Sequence, residues 1–395
     1  MTNIPVPFFD LTRQFSSMEG EMLAAVVPLF RSQQFILGEA VSSFEEAFSK
    51  TLGVGRSIGV SSGTDALVVA LLAAGLRPGQ GVLVPSFTFF ATAGAVVLAG
   101  GVPIFVDVDP ASYLMTPRIV EDFLGRETAV SGHGSLRTRR GEIPVAGLLP
   151  VHLYGRMVDM EALSGVAQRH GLFVVEDACQ SVGATFQGRP PGVFSQAVAY
   201  SFFPTKNLGA AGDAGMITAN DPAIADHCLR LRVHGSRKRY EHEEMGMNAR
   251  LDALQARVLS VKLSRLDGWT RRRQELARRY NESFSGLPGV TVPVDPELAG
   301  GRSGHVYHQY TLRVLREGRR DRMRAFLSER SIGSEVYYPI PLHCQKAFSD
   351  NPTIHGPLSV SEALSREVVS LPVFPELTDE EQERVIGAVR DVLSS

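Results

Sequence analysis

Short and long apolar runs alternate along the first half of the chain. Short continuous runs predict buried strands, and apolar residues spaced three or four apart predict helices. The first run predicts a helix over about Glu19–Arg31. The runs that follow predict strands and helices in alternation, beginning with a strand, over Ser57–Val60, Asp65–Ala74, Gly81–Val84, Thr88–Ala99, Val102–Val106, Pro117–Leu124, Val145–Val151, Met160–His170 and Leu172–Glu176. This alternation predicts an α/β fold with a mainly parallel sheet and helices on both faces.

The pattern changes after Gly215. The later segments are a long helix over about Leu251–Phe284, a strand over Tyr307–Val314, a helix over Arg320–Arg330, a strand over Ser334–Val336 and a terminal helix from Asp379. Because this order lacks the regular alternation, it predicts a smaller α+β domain. We therefore divide the chain into a large domain over residues 1–250, which includes the N-terminal segment, and a linking helix with a small domain over residues 251–395.

Lys206 lies in an unusual setting for a lysine. It follows a strand-like run over Ala197–Phe202 and is surrounded by small and polar residues, with glycines at positions 209, 212 and 215. Those glycines let the backbone and a bound molecule approach closely. The motif suits a lysine that forms a Schiff base, and a tight loop with a solvated lysine is the alternative interpretation.

Asp177 comes at the end of a second buried strand, Phe173-Val-Val-Glu-Asp177. It therefore lies at the carboxyl edge of the predicted sheet, where open α/β folds bind their ligands. A carboxylate there can hold a protonated ring nitrogen. Pyridoxal phosphate (PLP) needs both a lysine that bonds to its aldehyde and an acid that keeps its pyridinium charged. The two residues together predict a PLP site.

Two further segments supply the other contacts that PLP requires. Gly63 and Thr64 lie where a strand-like segment ends and a helix begins, so their N–H groups point toward an anion at the helix start. An ordinary helix cap made by Ser62 or Thr64 is the alternative. Phe89 follows the next strand and can stack on a flat ring, although a phenylalanine here is also typical of a core.

Five motifs in this order resemble the DegT/DnrJ/StrS family of PLP-dependent nucleotide-sugar aminotransferases. They are Ser62-Gly-Thr-Asp-Ala-Leu67, Pro85-Ser-Phe-Thr-Phe89, Glu176-Asp-Ala-Cys-Gln-Ser181, Ser201-Phe-Phe-Pro-Thr-Lys-Asn-Leu-Gly209 and Gly246-Met-Asn-Ala-Arg-Leu-Asp-Ala-Leu-Gln255. The likeness extends from Phe9 to His343. It implies the fold type I of PLP-dependent transferases, with a mainly parallel seven-stranded sheet in the large domain.

The resemblance also implies the roles of individual residues around PLP. Lys206 would form the imine, Asp177 would pair with the pyridine nitrogen, and Gln180 would contact the ring hydroxyl. Phe89 would stack on the ring. The phosphate would be held by Gly63, Thr64 and Ser201 of one subunit. In this family Asn248 and Arg250 lie on a loop that enters the neighbouring subunit's site, Asn248 at the phosphate and Arg250 toward the sugar nucleotide, which implies a homodimer with composite active sites.

The implied reaction moves an amino group from L-glutamate to a keto sugar linked to UDP, dTDP or GDP. The segment Tyr337-Tyr338-Pro-Ile-Pro341 is similar to the substrate loop of members that act on 3-keto sugars, although its first residue is often histidine. Tyr338 and His343 are thereby candidate substrate contacts, and His152 is a third because it follows a predicted strand end. A 4-keto sugar aminotransferase, a keto-cyclitol aminotransferase and a non-catalytic regulatory homologue are the alternatives. A sugar dehydratase of this fold would carry histidine in place of Lys206.

Composition limits the possible binding partners of the protein and indicates its cellular compartment. The 395 residues carry a net charge of −2, so no overall field attracts nucleic acid or an anionic membrane. The three widely spaced cysteines predict neither a disulfide scaffold nor a metal site. The N-terminus lacks the features of a signal peptide, and the most apolar stretch is too short to span a bilayer. We expect a cytoplasmic enzyme.

Three polar segments remain open to more than one interpretation. The arginines of the long helix at positions 271, 272, 273, 278 and 279 predict a solvated face. Arg237, Lys238 and Arg239 precede the motif that contains Asn248, so they are candidates to contact a nucleoside diphosphate. Residues 125–144 lack apolar periodicity and predict a surface loop, and the alternative is that the arginines of this segment contact a phosphate.

Overall fold

The part of the chain that the structure describes contains two main sheets, two two-stranded ribbons and thirteen α-helices. The computed structural model describes residues 5–131, 135–293, 295, 304–315, 318–351, 353 and 357–394. The strands are β1 (Arg56–Val60), β2 (Gly81–Pro85), β3 (Val102–Val106), β4 (Thr128–Val130), β5 (Leu136–Thr138), β6 (Val145–Leu148), β7 (Phe173–Asp177), β8 (Ala197–Ser201), β9 (Gly215–Ala219), β10 (Ser236–Lys238), β11 (Glu241–His242), β12 (Val290–Thr291), β13 (Tyr310–Val314) and β14 (Val368–Leu371). Besides the two sheets, β4–β5 and β10–β11 form separate two-stranded ribbons.

The helices lie between and outside the strands. They are α1 (Leu11–Ser16), α2 (Glu19–Ser32), α3 (Glu39–Leu52), α4 (Gly63–Ala73), α5 (Phe90–Leu98), α6 (Pro117–Glu127), α7 (Met160–Arg169), α8 (Pro222–Leu231), α9 (Ala253–Leu263), α10 (Leu266–Phe284), α11 (Arg319–Glu329), α12 (Ser359–Glu367) and α13 (Asp379–Ser394). No helix in the described part of the chain is both long and apolar enough to cross a membrane.

The larger sheet has seven strands in the order β1-β9-β8-β7-β6-β2-β3. All of its strands run in one direction except β9, which is antiparallel to both neighbours. Its central strands are buried along nearly their whole length because helices cover both faces. Helix α4 is apolar on nearly every side since it packs against β8, α5 and α8 at once. The predicted mainly parallel seven-stranded sheet is confirmed.

A three-stranded antiparallel sheet, β12-β13-β14, forms the centre of the C-terminal part. Strand β13 pairs with β14 from Tyr310 opposite Leu371 to Arg313 opposite Val368. Apolar side chains of α10, α11 and α13 pack with these strands into a separate hydrophobic core. The division of the chain at residue 250 stays a prediction.

The predicted long helix over Leu251–Phe284 is two helices. Helix α9 ends at Leu263 and α10 begins at Leu266. The chain bends there because α9 packs against α2 and α3, whereas α10 packs against α13. Arg273 also departs from the predicted solvated face: its guanidinium is buried and donates to the carbonyl of Val373 at 2.6 Å. Burial lowers the pKa of Arg273 to about 10.

Other segments differ from the prediction as well. Residues 125–144 contain the antiparallel pair β4–β5, with residues 132–134 between them lying outside the described part. The strand expected over Ser334–Val336 is one bridge between Glu335 and Ser370. Elements α3, α8, α12, β9 and β14 were not predicted. The helices among them do carry a helical period, since α3 buries Val41, Phe44 and Phe48 on one face, so the signal was present in the sequence and was overlooked.

Candidate active site

A cavity of about 490 Å³ opens at the carboxyl ends of the central strands. This is where parallel α/β sheets bind ligands, because the loops that leave the strands converge there. Eight of the residues singled out in the sequence line it: Gly63, Thr64, Phe89, Asp177, Gln180, Ser201, Lys206 and Tyr338. The sheet thus brings together residues from distant parts of the chain, from Gly63 to Tyr338.

Lys206 lies on the turn that follows β8. Its N–H donates to the carbonyl of Phe203 at 2.8 Å, which closes the turn. Gly209 completes it: a Cβ there would lie 2.1 Å from the carbonyl oxygen of Pro204, so no side chain fits. Burial lowers the pKa of the Lys206 amine, while the nearby Cys179 and Asp177 act in the opposite direction. The amine is therefore easier to deprotonate than that of an exposed lysine.

Asp177 ends β7 with its carboxylate held on both oxygens. The hydroxyl of Thr92 donates to Oδ2 at 2.8 Å, and the N–H of Cys179 donates to Oδ1 at 3.1 Å. The side chain is almost fully buried yet borders the cavity. A buried carboxylate with two donors is fixed in place and can pair with a protonated ring nitrogen.

The N-terminus of α4 approaches the end of β8 closely. A Cβ on Gly63 would lie 2.6 Å from the Cβ of Ser201, so only glycine allows this contact. Ser62 caps the helix by accepting from the N–H of Asp65 at 3.0 Å. The cap considered in the sequence is thus present, and the other N–H groups of the first turn still lack helical acceptors. Together with the Ser201 hydroxyl they form a seat suited to a phosphate.

Gln180 and Tyr338 form a fixed polar pair on another wall. The Gln180 oxygen Oε1 accepts from the N–H of Tyr154 at 2.7 Å, and its Nε2 donates to the Tyr338 hydroxyl at 2.8 Å. The ring of Phe89 lies 6.0 Å from that of Tyr338 and is 55% exposed. An exposed aromatic ring at a cavity mouth is available to stack on a bound ring.

The structure does not bring His152 or His343 to the cavity. His152 is fully buried: Nδ1 accepts from the N–H of Val158 at 3.2 Å, and Nε2 faces the Glu176 carboxylate at 2.7 Å. His343 is also buried, with Nδ1 at 2.6 Å from the hydroxyl of Ser86. Both ring nitrogens of His152 have partners within the chain, so it reaches no substrate in this structure.

Asn248 and Arg250 also lie outside the cavity of their own chain. Asn248 is exposed and Arg250 is partly exposed, and a bridge between Val233 and Asn248 fixes the segment that carries both. The basic residues Arg237 and Lys238 are engaged with Glu243 and Glu241 on the nearby ribbon. Within one chain, none of these polar side chains lines the cavity that contains Lys206.

Several cavity residues were missed in the sequence. Phe8 and Phe9 reach the cavity because a bridge between Val6 and Ile332 ties the N-terminal segment to the C-terminal part. Cys179 lies within a motif that was recognised, and its position between Asp177 and Gln180 was the available signal. His308 and Gln309 come from the segment before β13 and carry no local signal, because only the packing of the two parts places them there.

A reactive lysine, a buried carboxylate and a helix start on one sheet edge are the set that PLP requires, so fold and site define a PLP-dependent enzyme. The close approach of Gly63 to Ser201 suits the phosphate of that cofactor, and the Asp177 carboxylate, fixed by two hydrogen bonds, suits its ring nitrogen. The chain belongs to the DegT/DnrJ/EryC1/StrS aminotransferase family, whose model matches residues 16–390.

Three similar proteins illustrate the range of the family. The pleiotropic regulatory protein of Geobacillus stearothermophilus is 42% identical over 98% of each chain. The dTDP-3-amino-3,4,6-trideoxy-alpha-D-glucose transaminase of Streptomyces venezuelae is 39% identical over 98% of this chain and 96% of its own. A solved structure from Bacillus subtilis with bound cofactor PMP has a TM-score of 0.88 at 30% identity, covering 99% of this chain and 86% of that one.

The predicted family, fold, cofactor and enzyme class are confirmed. The protein is an aminotransferase that uses PLP. The roles of the individual site residues stay predictions.

Proposed function

We propose that the protein transfers the amino group of L-glutamate to the 3-keto carbon of a nucleotide-linked sugar. The observation that supports this most is the joint placement of Lys206 and Asp177 on one cavity, in a chain similar to a dTDP-3-amino sugar transaminase over nearly its whole length. The cavity volume of about 490 Å³ suits a substrate larger than an amino acid.

When bound, PLP supplies an aldehyde that bonds to amines and a ring that accepts electrons. In the proposed arrangement the Lys206 amine would hold the aldehyde carbon, and the Asp177 carboxylate would pair with the ring nitrogen. Gln180 would contact the ring hydroxyl, and Phe89 would stack on the ring face. The N–H groups of Gly63 and Thr64, with the Ser201 hydroxyl, would hold the phosphate.

The same lysine moves the proton in both half-reactions. As a free amine, Lys206 Nζ would carry a proton from the donor carbon to the cofactor carbon in the first half-reaction, and from the cofactor carbon to the sugar carbon in the second. Burial supports this role because it lowers the pKa of Lys206, which raises the fraction of free amine near neutral pH.

The described residues that line the cavity of a single chain include no arginine that could bind the carboxylates of glutamate. Among the described residues that line it, Lys206 is the only lysine or arginine. Burial and the charges of Lys206 and Arg273 hold the pKa of His308 well below its usual value, so that ring is neutral. We therefore include in the proposal a homodimer in which Arg250 from a second copy of the chain binds the carboxylate, and Asn248 of that copy contacts the phosphate.

A substrate screen tests the proposal. Purified PLP-loaded protein is incubated with L-glutamate and with 3-keto or 4-keto sugars linked to UDP, dTDP or GDP, and the amino sugar and 2-oxoglutarate are measured. We expect turnover with a 3-keto sugar. Turnover of 4-keto sugars alone would move the assignment to that alternative. If glutamate failed to change the absorbance of the bound cofactor, a different amino donor would replace glutamate in the proposal.

A further inference from the structure

A histidine, a cysteine and a glutamate meet outside the cavity that contains Lys206. One ligand atom of each, His343 Nε2, Cys344 Sγ and a carboxylate oxygen of Glu362, lies within 4.8 Å of the other two. Nε2 is 3.3 Å from Sγ and 3.3 Å from Oε1 of Glu362. Within the described part of the chain, this is the one group of three such side chains close enough to share a metal ion. None of the three lines the cavity, so the chemistry above gives them no role.

The distance between His343 and Glu362 differs from that of a simple histidine–glutamate hydrogen bond. Two other pairs in this protein approach to 2.7 Å, namely His152–Glu176 and His227–Glu244. His343 Nε2 instead stays at 3.3 Å from both the carboxylate and the sulfur, and one proton on Nε2 makes a full hydrogen bond to only one of them. Around a tetrahedral zinc ion, with bonds of about 2.0–2.3 Å, ligand atoms are about 3.3–3.6 Å apart. The observed spacing therefore suits a cation between the three side chains.

The imidazole ring of His343 is held in an orientation that a metal ligand requires. The N–H of Cys344 donates to the carbonyl of Pro341 at 3.0 Å, which closes the turn that carries both residues. The second ring nitrogen of His343, Nδ1, lies 2.6 Å from the hydroxyl of Ser86. Ligating histidines usually donate the proton of their second nitrogen to a partner of this kind. Ser86 thereby supports Nε2 as the nitrogen that binds the metal.

Glu362 is positioned by the start of α12. The Asp107 carboxylate accepts from the N–H groups of Val360 and Ser361 at 2.9 and 2.8 Å, which fixes the first turn of that helix. The Glu362 side chain is 30% exposed and Cys344 is exposed, so the group is accessible from solvent. The approach of α12 to the turn depends on tertiary packing. For this reason the cysteine and histidine spacings in the sequence predicted no metal site.

We propose that His343, Cys344 and Glu362 bind one Zn²⁺ ion through Nε2, the thiolate and a carboxylate oxygen. Zinc accepts this mixture of nitrogen, sulfur and oxygen ligands, whereas Mg²⁺ and Ca²⁺ require oxygen. The thiol releases its proton to solvent on binding, and water is the fourth ligand. The ion joins α12 to the turn at His343, and through Ser86 to the end of β2. This site is independent of the substrate proposed above.

Metal analysis of the PLP-loaded protein tests the site. The protein is incubated with Zn²⁺ and dialysed, and its zinc is measured by elemental mass spectrometry. We expect about one zinc ion per chain in the wild type. Cys344→Ala and Glu362→Gln each remove one ligand, so both should weaken Zn²⁺ binding at least about a hundredfold in competition with a chelator. His227→Gln is the matched control, because its pair with Glu244 belongs to no group of three ligands, and it should retain the zinc.

Cobalt gives an independent readout of the ligands. Tetrahedral Co²⁺ absorbs red light, where PLP does not absorb, so Co²⁺ in the wild type should show these bands and in Cys344→Ala should not. Ser86→Ala keeps all three ligands and should weaken Zn²⁺ binding by only about tenfold.

Three results would overturn the zinc site. They are a wild-type protein that retains no zinc after dialysis, equal retention by Cys344→Ala and Glu362→Gln, and a loss in His227→Gln as large as theirs. Each result is obtained without measuring turnover. Failure of the zinc site therefore leaves the proposed function untouched, and failure of the substrate screen leaves the zinc site untouched.

Discussion

Glu176 and Asp177 are adjacent acids at the end of β7, and they have opposite surroundings. Asp177 borders the cavity and is held by Thr92 and Cys179. Glu176 is fully buried on the other face of the sheet, where it accepts from the N–H of Gly192 at 2.8 Å and faces His152. Successive side chains of a strand point to opposite faces. One acid is thereby available to a ligand, and the other only supports the strand that carries it.

The largest effect should come from Lys206 on the cavity side. Lys206→Ala removes both the imine partner and the proton carrier, so turnover should fall by about 10⁴ or more. The visible absorbance of the lysine-bound cofactor should disappear as well, which a spectrum of the purified variant checks. A variant with near wild-type turnover would place the reactive amine elsewhere.

Asp177→Asn should cause the next largest loss. The amide keeps the shape but cannot pair with a positive ring nitrogen, so we expect turnover to fall by about a hundredfold or more. Its unfolding free energy should change by less than about 1 kcal/mol, because the Thr92 hydroxyl can reverse its hydrogen bond and accept from the new amide. Denaturant titration and steady-state rates separate the two quantities. Turnover within a few-fold of wild type would point to a different acid.

Mixed dimers test whether each cavity is completed by a second chain. Lys206→Ala and Asn248→Asp should each be inactive alone, the second because a carboxylate against a phosphate adds repulsion. After subunit exchange, one site of each heterodimer carries both defects and the other carries none. Activity should then return to about a quarter of the wild-type value at equal mixing.

Exchange in that mixture is confirmed by mass spectrometry with one isotope-labelled variant. No recovery despite confirmed exchange would mean that Asn248 acts within its own chain. Two wild-type pools, one labelled, provide the control for losses during exchange.

On the supporting face, Glu176→Gln should affect stability more than catalysis. The amide of the variant turns a donor toward groups that are themselves donors, and the unfolding free energy should fall by about 1–3 kcal/mol. We expect the remaining folded protein to keep turnover within a few-fold of wild type. A turnover loss as large as that of Asp177→Asn would remove the contrast between the two faces.

The smallest effect concerns pH and the neutral His308. Its pKa is lowered in the folded state, so between pH 6.5 and the folded value the unfolded chain binds a proton that the folded chain does not. The unfolding free energy should therefore decrease on acidification, with a share from His308 of up to about 1.4 kcal/mol per pH unit. His308→Gln should show a shallower slope in denaturant titrations between pH 6.5 and 5. An unchanged slope would contradict a neutral ring.

The sequence predicted the face with Asp177 better than the one with Glu176. Lys206, Asp177 and Gly63 stand in compact motifs whose residue types match the chemistry of one cofactor. His152 also follows a strand end, but a shift of one residue along a strand changes the face on which a side chain lies. Its orientation toward Glu176 depends on packing that no local motif records.

The wall with His308 and Gln309 could not be predicted for a different reason. They reach Lys206 because the segment before β13 contacts Asn207, whose amide donates to the carbonyl of Val306 at 2.9 Å and lies 3.1 Å from Nδ1 of His308. That contact joins segments about a hundred positions apart. The break at Ser264 between α9 and α10 has the same origin, since each helix follows the layer against which it packs.

The antiparallel direction of β9 restricts how the backbone that carries Lys206 can move. The segment that carries Lys206 leaves the sheet beside Ser201 and re-enters it at Gly215, which pairs with Ser201. Its two stems are further joined by the hydrogen bond from Phe202 to Ala214 at 2.8 Å. A crossover helix would have carried the chain to the opposite end of the sheet before the next parallel strand. This segment instead begins and ends at the same end of the sheet, and both of its ends are fixed by hydrogen bonds. The amine must therefore move between its partners by rotation about the four carbons of its own side chain, with the backbone as a stationary pivot.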